Sequence, residues 1–169
     1  MQKTETDQSI ELILRKQSSE NYLRFIFNTP SGSVIQVNRD HEVGQYLFSR
    51  IRTCSFKKRQ LDPGVTGSIV KLQMPTHGND CGRNCLSYYS AEDMVRINDY
   101  IEASAYLDFR MMVQTGNIDL KMDRKTVIEI YSDLIFGEDK YEMLKKDEYR
   151  KRKKIREYLQ TAAKAFNYR

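Results

Sequence analysis

The feature that most constrains this chain is a change of hydrophobic period near its midpoint. Up to about residue 89 the apolar groups come in short runs, some of them alternating; from Ser90 onward they recur every three to four residues. Period two fits strands with one buried face and period 3.6 fits amphipathic helices, so the two halves bury their apolar groups in different ways. That order predicts an α+β protein: a small antiparallel sheet with one helix, then a C-terminal subdomain of three helices. The expected division is a mixed α/β unit over residues 1–86 and a helical subdomain over 87–169, or the two as one continuous domain. With 169 residues, 40% of them hydrophobic and 30% charged, the chain has the composition of an ordinary globular protein.

Local patterns place the elements. Ser9 to Arg15 alternates Ile10, Leu12 and Leu14 against Glu11, Ile13 and Arg15, which predicts a strand, with a short helix as the alternative. Tyr22 to Phe27 is rich in aromatic residues, Pro30-Ser31-Gly32 supplies turn chemistry, and Ser33 to Val37 resumes an extended pattern, together predicting a hairpin. Asp40 is the expected cap of a helix carrying Val43, Tyr46, Leu47, Ile51 and Cys54, and Gly67 to Met74 reads as another strand. Beyond it, Ser90 and Asp93 form a capping-box variant ahead of Met94, Ile97, Ile101, Ala105, Phe109 and Met112, with Gly116-Asn117 as the expected stop. A second helix starts near Asp123 and buries Val127, Ile128, Tyr131, Leu134 and Ile135, with Gly137 placed to end it. A third runs from about Lys140 to Phe166. It is expected to pack through Tyr141 and Leu144 at one end and Ile155, Tyr158, Leu159, Ala162 and Phe166 at the other.

Charge concentrates in that last helix. The whole chain has 28 Lys and Arg against 23 Asp and Glu, a net +5, but residues 140–169 hold 11 basic against four acidic and the remainder 17 against 19. The stretch Asp147 to Lys154 (DEYRKRKK) offers only Tyr149 as an apolar group, so it cannot be core. A helix, a short break at Gly137-Glu138-Asp139 and a basic second helix have the outline of a helix-turn-helix, in which Lys and Arg gather on one helix to meet phosphates. The nucleic-acid-binding residues expected on this basis are Lys146, Tyr149, Arg150, Lys151, Arg152, Lys153, Lys154 and Arg156. The plainer alternative is a solvated helix on which Asp147 and Glu148 pair at i,i+4 with Lys151 and Arg152. Lys57-Lys58-Arg59 is either a second basic patch or an exposed loop.

Other classes find little support. The stretch Met1 to Asp7 lacks the apolar core of a signal peptide, and no run approaches the ~20 apolar residues of a membrane span, so a cytoplasmic protein without membrane contact is expected. Three cysteines, an odd count, point to free thiols. Cys54, His77, Cys81 and Cys85 make a nominal Cys₃His zinc set, but three-residue gaps replace the tight knuckle of structural zinc sites, and no metal is expected. Asn79-Asp80-Cys81-Gly82, with Gln73 upstream, resembles the nucleophile segment of ubiquitin-like-specific cysteine proteases. That resemblance implies Cys81 as nucleophile, Gln73 as oxyanion donor and His41 as base. The family's His-Trp pair has no counterpart in a chain without Trp, so no catalytic residue, no enzyme and no cofactor is expected. The carboxylate pairs Glu92-Asp93 and Glu138-Asp139 sit at helix ends, where they complement the dipole, and the methionines are read as packing residues.

The segments SGSVIQVNRDHEVGQYLFSRIR, GSIVKLQMP, YYSAEDMVRINDYIEASAYLDFRMMV and the closing basic helix resemble a group of small uncharacterised proteins encoded by phages and mobile elements of gut bacteria. The resemblance spans about Tyr22 to Arg156 in pattern and order and carries no catalytic motif. It implies a setting in which small DNA-binding accessory or regulatory proteins, transcription regulators among them, are common. The expected function is therefore non-catalytic binding of nucleic acid, DNA first, through the basic C-terminal helix. The alternative is a structural or assembly component of a phage particle or complex, whose partner is a second copy or a phage protein.

Overall fold

The computed structural model describes residues 9–55, 65–75 and 85–166. They form an α+β fold in the order strand β1 (Ser9–Leu14), helix α1 (Gln17–Ile26), strand β2 (Ile35–Gln36), helix α2 (Glu42–Ser49) and strands β3 (Arg52–Ser55), β4 (Ser68–Gln73) and β5 (Cys85–Tyr88). Helices α3 (Ala91–Ile118), α4 (Arg124–Tyr131) and α5 (Tyr141–Phe166) follow. A π-helical turn, Ser132–Phe136, and a 3-10 turn, Glu138–Lys140, lie between α4 and α5. The expected order, a sheet-bearing first half and three C-terminal helices, holds. The chain divides into two compact units, Met1–Tyr106 and Leu107–Arg169, and the division falls within α3.

In the first unit β4 is the middle strand of three. Its alternation turns Val70 and Leu72 inward, where they pair in register with Leu12 and Ile10 of β1 and with Ile35 of β2, all of them buried. The sheet is mixed and not antiparallel as expected, because β2 runs parallel to β4; a separate antiparallel pair joins β3 to β5, and two helices, α1 and α2, precede α3 where one was expected. Asn98 of α3 is buried and fully used: its amide donates to the carbonyls of Ile13 (2.9 Å) and Met94 (2.8 Å) and accepts from the Arg15 N–H (2.9 Å). One side chain thus satisfies the backbone where β1 ends.

Three local expectations give way. The predicted hairpin strand over Tyr22 to Phe27 is the last part of α1 and the residue after it. Ser19, Tyr22, Leu23 and Phe27 are buried at helical spacing, and this face outweighs the aromatic content that suggested a strand. The turn itself is present, with Gly32 at φ +80° and Arg24 donating to the carbonyls of Pro30 and Ser33. The cap of α2 is His41, whose Nδ1 accepts from the Val43 N–H at 3.1 Å, and the helix ends before Cys54, which lies on β3.

In the second unit, Gly116 is not a helix stop. It is buried where Val127 of α4 approaches, and a Cβ placed there would lie 2.8 Å from a Val127 methyl. Asp123 caps α4 as expected, accepting from the Lys125 N–H. Tyr131 is buried against Phe109 and Phe136, and burial pushes its phenol above the ordinary range. Gly137, at φ +96°, breaks the chain before α5 as expected, with Ser132 Oγ donating to its carbonyl at 2.9 Å. Helix α5 departs from expectation at its far end. Leu144 is fully buried, but Ile155, Tyr158 and Leu159 are exposed, because neither α4 nor the end of α3 covers them.

Candidate nucleic-acid interface

Helix α5 is the only described element in which cations outnumber carboxylates so heavily, and the second unit holds it by its first half. Leu144 supplies the apolar anchor. Arg110 of α3 then donates from Nε and Nη2 to Asp147 (3.1 and 3.0 Å), and Arg124 of α4 donates to Glu148 (3.1 Å). Arg124 is itself oriented by Asn117 Oδ1 (3.1 Å), and Asn117 donates to the Met122 carbonyl. Both acidic residues of the DEYRKRKK stretch are therefore turned toward the helical body, so the cations beside them face outward. Arg110 and Arg124 carry no sequence signature for this role. The one available sign was that carboxylates interrupting a basic run need partners.

The expected binding residues fall into two sets. Arg152 pairs with Glu148 (3.4 Å) and Lys153 with Glu157 (3.9 Å), as on a solvated helix. The expected Asp147 to Lys151 pair is replaced by the bond from Arg110. Lys146, Arg150, Lys151, Lys154 and Arg156 have no hydrogen-bond or ion-pair partner among the described residues. Lys146, Arg150 and Lys154 recur at i, i+4 and i+8, so they form a line of three charges about 12 Å long on the side away from buried Leu144. Tyr149 is exposed, and the Arg152 guanidinium lies 5.9 Å from its ring centroid.

Between α4 and α5 lies a shallow groove of about 420 Å³ with Ile128, Tyr141 and Tyr149 in its lining and Arg124, Lys145 and Arg152 among its cations. It adds planar and apolar surface beside the line of charges.

His77, Cys81, Gly82 and Lys57-Lys58-Arg59 lie outside the described residues; Cys54 stands opposite Leu86 and Cys85 opposite Ser55 in the pairing of β3 with β5, so the two cysteines are not cross-strand partners. Gln73 accepts from Gln36 across β2 and β4 (2.6 Å), and His41 spends its Nδ1 on the cap of α2 while its ring meets Phe27 edge-on. No group of His, Cys, Asp or Glu among the described residues has the geometry of a metal site, and no helix among them is long and apolar enough to cross a membrane. Comparisons with protein-family models, with curated proteins and with solved structures find no match to this chain.

Proposed function

We propose that the protein binds nucleic acid, duplex DNA first, without catalysis, through the outward face of α5, as an accessory or regulatory factor of a phage or mobile element in the cytoplasm. The observation that carries this reading is the set of five cations, Lys146, Arg150, Lys151, Lys154 and Arg156, that have no partner among the described residues, three of them, Lys146, Arg150 and Lys154, on the side of α5 away from its buried anchor Leu144. Phosphate contacts draw their free energy from released counterions, and a rigid line of unpaired Lys and Arg supplies them at little conformational cost. Tyr149 offers a hydroxyl to the backbone or a ring face to a base.

Fluorescence anisotropy with a labelled duplex at low and moderate salt tests this reading. Binding that weakens steeply with salt is expected, and absence of binding at low salt sinks it. The triple replacement Lys146→Gln, Arg150→Gln, Lys154→Gln is expected to flatten the plot of log K against log salt by between two and three, at about 0.9 per lost phosphate contact. The second reading, an assembly component of a phage particle or complex, draws on the exposed apolar side of the same helix. A large defined ring or hetero-complex under native conditions would favour it.

A further inference from the structure

The second unit carries twelve of the sixteen exposed large apolar side chains among the described residues. Scattered ones would need no explanation, but six of these align in two stripes. On α5, Ile155, Tyr158 and Leu159 are 59%, 74% and 60% exposed, and with Ala162 they extend the line of buried Leu144 along the same side of the helix. On α3, Leu107, Met111 and Ile118 are 53%, 59% and 61% exposed and form a second stripe, opposite buried Phe109, Val113 and Gly116. At 1.5 Å per residue the α3 stripe is about 16 Å long and the α5 stripe about 10 Å, so one can lie along the other. Helix α5 runs unbroken from Tyr141 to Phe166 and cannot fold its far half back onto its own unit.

Charge points to the occupant. Residues 107–149 hold seven basic against ten acidic side chains, a balance of −3, whereas residues 150–166 hold seven against one, a balance of +6. Two such arms laid side by side would set +6 against +6. Crossed onto the helical bodies, each meets an apolar stripe within a net acidic surface.

We propose that the far half of α5 docks its Ile155, Tyr158 and Leu159 face on the Leu107, Met111 and Ile118 stripe of a second copy, reciprocally, in a two-fold dimer. The contact is isologous, because each copy gives one arm and receives one, and it therefore closes at two. The line Lys146, Arg150 and Lys154 lies away from the docking side and stays in solvent, so the dimer leaves these three cations to phosphate, whereas Lys151, between Leu144 and Ile155 on the helix, falls on the docking side.

Sedimentation velocity on the full chain at micromolar concentration tests the proposal. A dimer is expected for the wild type. Ile155→Glu with Leu159→Glu on the arm, and separately Met111→Glu with Ile118→Glu on the body, should each weaken self-association about tenfold or more while leaving the helical circular-dichroism signal unchanged. Mixing the two double variants should restore dimer, since one intact arm then meets one intact body. A monomeric wild type, a dimer indifferent to the arm replacements, or no recovery on mixing would each overturn it. So would a wild type that stays monomeric and instead sediments with phosphatidylglycerol vesicles, which would make an anionic lipid surface the occupant.

Discussion

Individual charged side chains in this protein are spent in two ways. Asp93, at the start of α3, is buried. Burial pushes its carboxyl up, but hydrogen bonds from Arg52 (2.6 Å) and Ser90 (2.5 Å) outweigh that and hold it below the usual range. A carboxylate depressed in the folded state adds stability that is complete above the unfolded value of about 3.9 and is lost as pH falls through the folded one. Asp93→Asn should therefore cost about 1 to 2 kcal/mol at neutral pH, discounted for the half-exposed Arg52, with the gap to wild type closing below about pH 4. Urea denaturation at several pH values checks it, and a gap that persists into acid would assign the loss to packing. Arg124, bonded to Asn117 and Glu148, holds α5 in the same manner, and Arg124→Ala should cost about 1 kcal/mol. Lys146, Arg150 and Lys154 of α5 contribute no comparable bond to the fold, which is why glutamine at these three positions should alter binding and leave thermal stability nearly unchanged.

At the scale of elements, α5 is one helix with two environments. Its 26 residues extend about 39 Å, while the 13 residues of α4 and the π-helical turn extend about 20 Å, so no neighbour of that length can cover it. Leu144→Ala should consequently cost about 2 to 5 kcal/mol, the range for a buried leucine that leaves a cavity. Leu159→Ala should cost under about 0.5 kcal/mol when measured at chain concentrations low enough to keep the protein monomeric. Equal losses at the two sites would show that the far half packs within its own unit. The break that starts α5 depends on Gly137, whose φ of +96° with ψ of 150° is a conformation that side chains with a Cβ avoid. Gly137→Ala should cost about 1 to 3 kcal/mol, read from the denaturation midpoint.

For the whole molecule, the net charge of +5 conceals a nearly neutral body and one strongly basic helix. Much of this was legible beforehand. The α+β class, the three C-terminal helices, the Asp123 cap and the Gly137 stop all rest on near-neighbour chemistry, which a sequence displays directly. Segment Tyr22 to Phe27 misled because its aromatic content argued for a strand, while its helical face acquired meaning only once there was a core for Tyr22 and Leu23 to enter. The basic helix was placed correctly because charge, unlike burial, is a property of the residue itself.

The sequence by itself thus determined where the three C-terminal helices begin and where the cations lie along α5. Tertiary structure alone decided which of those cations are spent and which apolar stripes are covered. Arg110 and Arg124 reach Asp147 and Glu148 from other helices, and Ile155, Tyr158 and Leu159 stay exposed although their spacing matches that of a core face. The reason is physical: periodicity reports that a helix has an apolar side, but burial needs a second surface of matching length, and that is a property of how the helices are arranged.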